Sequence, residues 1–230
     1  MLFAATTVVV AQRADAFLGP NSHPAIRYTT TPANDPIAAL NRRLEAGQSL
    51  AKDPNSGYLP AVLSALELSP TSQMLVFSPT SAQADRISFL NPRALYFNDR
   101  VAVGWVRGAS TLELIAQDPK QGSIFYTLEQ AGPGPPRFKR DNETCLACHL
   151  TWDTLAVPGL TSTSMFPMPD DKNAYANGVT VDHRNLLSQR WGGWFVTGQH
   201  GGARHMGNIP VLPADKGKSR IQIAVRPWSR

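Results

Sequence analysis

Two periodicities divide this chain. Between residues 36 and 50, Leu40, Leu44 and Leu50 form an apolar stripe, which predicts an amphipathic helix. Asp35 stands where an N-cap belongs, Pro36 takes the first helical position, and Gly47 is expected to end the helix early. Leu59, Val62, Leu63 and Leu66 recur at three-and-four spacing, which predicts a second short helix over 59–68 that Pro70 terminates. Beyond residue 74 the pattern changes. Short runs rich in β-branched and aromatic residues follow at 74–77, 94–97, 101–106, 112–116 and 123–128. The links between them, Asn98-Asp99-Arg100, 107–110 and 117–122, are too short for helical crossovers, so an antiparallel meander is expected.

The meander ends at Gln130-Ala131-Gly132-Pro133-Gly134-Pro135-Pro136, a linker-like stretch that sets a boundary between regions 17–130 and 137–230. A long surface loop inside one domain is the alternative. The second region is loop-rich, with a short helix expected over 145–153. An apolar segment follows at 190–198, and a strand-like run at 221–225. At the other end, residues 2–11 are an apolar run, and Ala14-Asp15-Ala16 offers the small residues that a signal peptidase reads. Residues 1–16 are therefore read as a signal peptide lacking a basic leader, with a buried strand as the alternative. No other stretch approaches the ~20 apolar residues of a spanning helix, so an integral membrane protein is not expected after processing.

Composition adds three limits. With 230 residues the chain can bury a substantial core, and 19 prolines and 17 glycines mark it as rich in loops. The formal net charge is +5, but the basic residues are dispersed and form no aromatic-interleaved stripe, which argues against nucleic-acid binding. Such a charge suits an acidic partner.

The chemistry concentrates in Cys145-Leu146-Ala147-Cys148-His149, which holds both cysteines of the chain. Random placement would give this C-x-x-C-H arrangement roughly once in 5,000 trials. A thioredoxin-like dithiol normally opens a helix after a strand, whereas the residues preceding Cys145 are polar. A structural zinc site needs four soft ligands, and no second cysteine pair exists. A plain disulfide leaves His149 unexplained.

At these five residues the chain resembles the bacterial c-type cytochromes. The resemblance implies one covalent haem c, with thioethers at Cys145 and Cys148 and His149 as the proximal iron ligand. It also implies a periplasmic or otherwise exported location, because haem attachment in bacteria takes place outside the cytoplasm. Pro158, in Val157-Pro158-Gly159-Leu160, matches the family's proline whose carbonyl accepts a hydrogen bond from the proximal imidazole. The fold expected overall is α+β: short N-terminal helices and an antiparallel meander, then a loop-rich, partly helical cytochrome c-like haem region.

For the sixth iron position the candidates are Met206, then His205 and His200, then Met168 or Met165, or an open site. Trp191 and Trp194 are candidates to line the haem or donate an indole N–H to a propionate, with ordinary core packing as the alternative. His183 and His23 are expected to be solvated. A closed iron implies electron transfer. An open one implies a peroxidase-type enzyme, with Arg204 and His205 as distal charge and general acid/base. A haem sensor or accessory subunit is the third class.

Overall fold

The structure, a computed structural model, describes residues 26–165 and 178–211. Helix α1 (Pro36–Glu45) begins at Asp35, whose Oδ1 accepts from Ile37 N at 2.8 Å and Ala38 N at 2.9 Å. It stops where Gly47, at φ +102°, turns the chain back and donates its N–H to Leu44 O at 3.1 Å. Helix α2 (Leu59–Ala65) follows.

Six strands come next: β1 (Met74–Val76), β2 (Arg93–Phe97), β3 (Val101–Trp105), β4 (Thr111–Asp118), β5 (Gly122–Glu129) and β6 (Phe138–Arg140). Helix α3 (Leu146–His149) and the two-residue strands β7 (Thr163–Ser164), β8 (Val179–Thr180) and β9 (Trp194–Phe195) complete the elements. One antiparallel sheet runs β6-β5-β4-β3-β2-β1-β9, while β7 and β8 pair separately. The β4–β5 hairpin is fixed by Asp118, whose Oδ1 accepts from Lys120 N at 2.8 Å and Gln121 N at 2.9 Å.

The helices cover one face of this sheet. Leu112, Leu114, Ala116, Ile124 and Leu128 point there and are buried with Ile37, Leu40, Val62 and Leu63 in the main core. Polar bonds lock the layers: Tyr126 donates to Asp35 Oδ2 at 2.5 Å, and Asn41 exchanges two hydrogen bonds with the Phe138 backbone. Arg140 stacks over the Tyr28 ring at 4.4 Å and donates to the carbonyls of Tyr28 and Thr31 and to the Gln121 side chain.

Burial pushes the Tyr28 hydroxyl up to about 12, against the pull of Arg140. Burial and then the Asp35 carboxylate also raise Tyr126. Both phenols keep their protons when folded and release them when unfolded, so the unfolded chain binds fewer protons in alkali. Stability is therefore expected to hold up to about pH 10 and to fall above it, seen as a declining urea midpoint. Tyr28→Phe should flatten that decline.

The expected loop-rich, partly helical cytochrome c-like haem region is overturned. Among the described residues after 137, the only α-helix is the single turn α3, and two short strands join the meander's own sheet, β6 at one edge and β9 at the other. The physical reason lies in the composition of that half. Its apolar residues lack helical spacing and its prolines and glycines are frequent, so it buries side chains on a sheet already formed. Strands on both sides of residues 130–136 pair directly, β5 with β6, and Gln130 caps Tyr58 N and Ala109 O with its buried amide. The signal-peptide reading at 1–16 and the strand-like run at 221–225 lie outside the described residues. No helix among the described residues is long and apolar enough to cross a membrane.

Strand β9 docks through Gly193, whose carbonyl accepts from Phe77 N at 2.7 Å and Ser78 N at 3.1 Å. Its φ is +80°, and a Cβ there would lie 2.5 Å from Ser78 Cβ and 3.1 Å from Met165 O. Gly193→Ala is expected to lower stability by about 2 kcal/mol through strain and steric overlap, read as a shifted denaturant midpoint at unchanged slope.

Candidate functional site

The Cys145–His149 segment begins where β6 runs out. Asp141 continues the ladder by donating to Phe125 O at 2.9 Å, and its Oδ1 then accepts from Glu143 N at 2.9 Å and Cys145 N at 3.2 Å. That carboxylate turns the chain into α3, where His149 N donates to Cys145 O at 3.0 Å. Leu146 is buried in the main core and pins the turn. Positions 145, 148 and 149 stand at i, i+3 and i+4, so both thiols and the imidazole share one flank.

The imidazole rests on the sheet face opposite the helices. Its ring centroid is 4.6 Å from that of Phe125, at an interplanar angle of 33°. His149 Nδ1 lies 2.9 Å from Gly159 O, and Gly159 N donates to His149 O at 3.0 Å. A carbonyl can only accept, so the ring proton sits on Nδ1 and the Nε2 lone pair is free. Burial lowers the affinity of His149 for a second proton, against the opposing effect of the Gly159 carbonyl. The ring is therefore held in the neutral form that binds metals.

Pro158 was expected to provide this carbonyl; Gly159 does so instead. The loop closes by a reciprocal pair of bonds, and proline has no N–H to supply the second. Pro158 is buried, its carbonyl turned towards Gly122.

Residues 149–159 thus form a compact loop closed at its base. A 3-10 turn, Trp152–Thr154, starts it, and Leu155 and Ala156 follow in left-handed conformation at φ 55° and 57°. Apolar side chains on this loop face outward, with Trp152 73% and Leu155 84% exposed. Both line an open cleft of about 350 Å³ together with Asp153, Thr180, Asp182 and Arg184. Thr180 Oγ1 donates to Asp153 Oδ2 at 2.7 Å and ties β8 to the loop.

Both cysteines are free thiols. Burial pushes the Cys145 thiol up to about 12, with the Asp141 and Glu113 carboxylates adding to the effect, and burial also raises Cys148. A dithiol oxidoreductase needs the reverse, a thiolate stabilised near neutral pH. Among the described residues no group of three or more His, Cys, Asp or Glu side chains could hold a metal ion by itself.

The remaining candidates sit in other surroundings. Met206 Sδ accepts from Ser164 Oγ at 3.9 Å, and its side chain packs with Ile209 and Val211 in a small second cluster. His200 and His205 stack edge-on with centroids 4.5 Å apart. Gly207 N donates to His205 Nδ1 at 3.1 Å, which places the proton of the neutral His205 ring on Nε2, the tautomer opposite to that of His149. Trp194 Nε1 donates to Thr163 O at 2.9 Å, so its N–H is already engaged and does not serve a propionate. Trp191 meets Trp194 edge-on at 6.0 Å. Met165 is buried and bonded through its backbone to Gly192. His183 is exposed, and Met168 and His23 lie outside the described residues.

Sequence reasoning missed Phe125, Gly159 and the Arg93–Glu113 ion pair, 3.0 Å long, on the same sheet face. The available signal was Glu113 standing alone within the apolar run Leu112-Glu113-Leu114-Ile115. Comparison with family models, curated proteins and solved structures gave no match.

Proposed function

We propose that this chain is an exported mono-haem c-type cytochrome that transfers electrons, anchored to haem c through Cys145 and Cys148 with His149 as proximal ligand. The observation that carries the reading is the tautomer of His149. Its Nδ1–H is committed to Gly159 O, which leaves Nε2 as the ligating nitrogen beside two free thiols on one helical turn. A hydrogen-bonded Nδ1 fixes the ring plane and raises ligand basicity.

The donor set fits a covalently held haem and fits poorly to the rivals. The thiols are protonated rather than poised as thiolates, and the nearby acidic groups form no metal cluster of their own. When bound, haem would supply a one-electron iron couple. The chain's own contribution is to hold the imidazole neutral against Phe125 and to fix it by the loop closure at Gly159. Trp152 and Leu155, exposed on the loop that follows α3, offer apolar cover. The net charge of +5 suits an acidic redox partner.

One observation favours a peroxidase-type alternative: His205 carries its proton on Nε2, which suits a hydrogen-bond donor better than an iron ligand. Visible spectra of the oxidised and reduced protein, with and without cyanide and peroxide, separate the two. An electron carrier should give sharp reduced bands and ignore both additives. Rapid spectral change on adding either would transfer the assignment to the enzyme, and an intact mass equal to the bare polypeptide would remove both.

A further inference from the structure

We infer that Arg93 and Glu113 are a pair of positioning charges behind His149 that set the redox potential of the group it holds; the inference rests on the haem reading above. The sheet register brings them there. Leu95 of β2 pairs with Gly104 of β3, and Gly104 pairs with Glu113 of β4. Arg93 stands two residues before Leu95 and so points to the same face. Gly104 lies between the strands that carry the two charges, and having no side chain it leaves a trough across β3. The Arg93 stem lies 3.6 Å from where a Gly104 Cβ would be, and Nη1 reaches Glu113 Oε2 at 3.0 Å.

Glu113 in turn neighbours Phe125 diagonally, because it pairs with Thr127 while Ile115 pairs with Phe125. Phe125 carries the imidazole. The ion pair thus lies on the sheet face that carries the ligand ring, one diagonal step from Phe125.

Two features set this pair apart from a surface salt bridge. The side chains are only 18% and 17% exposed, so their fields reach His149 with less screening than surface charges would have. Arg93 Nε is also buried without a hydrogen-bond partner among the described residues.

The iron couple should respond to both charges, because the oxidised state carries one more positive charge. Glu113→Gln leaves Arg93 unbalanced, disfavours the oxidised state and should raise the potential. Arg93→Gln leaves Glu113 unbalanced and should lower it. Each change should alter the oxidised-to-reduced ratio at fixed ambient potential by about tenfold, equal to 59 mV for one electron. Arg93→Lys keeps the charge and should stay near wild type, as should the uncharged pair R93M/E113L.

The experiment is a spectroscopic redox titration of each holoprotein, with thermal unfolding alongside. If a single variant fails to fold, R93K/E113Q retains one positive charge and should still titrate above wild type. Shifts of the same sign in Glu113→Gln and Arg93→Gln, or shifts under about twofold in ratio, would overturn the tuning role while the haem reading stands. A wild-type protein without covalent haem would instead remove the reading beneath it.

Discussion

The double variant C145A/C148A, matured alongside the wild type in a periplasm that attaches haem, is expected to lose all covalent cofactor. Acidified organic solvent should strip whatever haem co-purifies with it, while the wild type retains its own through the same treatment. Intact mass gives the decisive number: the wild type should exceed its polypeptide mass by one haem, each single variant should keep one thioether, and the double variant should keep none. The fold should survive the change. Cys148 is exposed and Cys145 only partly buried, while the turn is pinned by Leu146 and capped by Asp141. Unchanged far-ultraviolet dichroism in the double variant would show that the loss is chemical, not structural. Haem retained through the extraction would remove the assignment of both thiols.

The largest expected stability effect lies at Asp35, far from those thiols. Asp35 is 3% exposed, caps α1 with one carboxylate oxygen and accepts the Tyr126 hydroxyl with the other. Truncation removes the cap, worth about 1 kcal/mol. It also leaves a buried hydroxyl without its acceptor, which costs roughly 1–3 kcal/mol more. Asp35→Ala should therefore lose about 2–4 kcal/mol in urea unfolding. Asp35→Asn keeps an oxygen acceptor for the helix and should lose less. A loss under about 0.5 kcal/mol in Asp35→Ala would mean that water replaces both partners.

The first half of the fold could be read from local rules because each element there carries its own signal. Asp35-Pro36 and Gly47 bracket α1, and the runs at 101–106, 112–116 and 123–128 coincide with β3, β4 and β5. The second half carries no such signals. Strands of two or three residues, such as β9 and β6, are too short to show a period and exist only because a sheet edge is there to pair with. The same contrast holds at the site. Cys145, Cys148 and His149 stand out through spacing alone, yet it is strand register that brings Phe125 to the imidazole and places Arg93 and Glu113 on the same sheet face. The choice of Gly159 over Pro158 followed from backbone chemistry that the familiar sequence pattern did not express.

The order of strands has a consequence for synthesis. Both outermost strands, β6 and β9, are made after residue 137, while the five between them are complete by residue 129. A nascent chain stopped at that point would present two bare hydrogen-bonding borders, one on β1 and one on β5. Unpaired borders of this kind recruit other chains. The second partner of β1, β9, arrives more than a hundred residues after β1 itself, which makes closure of that edge a late, long-range event. Chaperone protection during that interval should therefore matter most for yield, and truncation before residue 194 should give aggregates in place of a smaller folded protein.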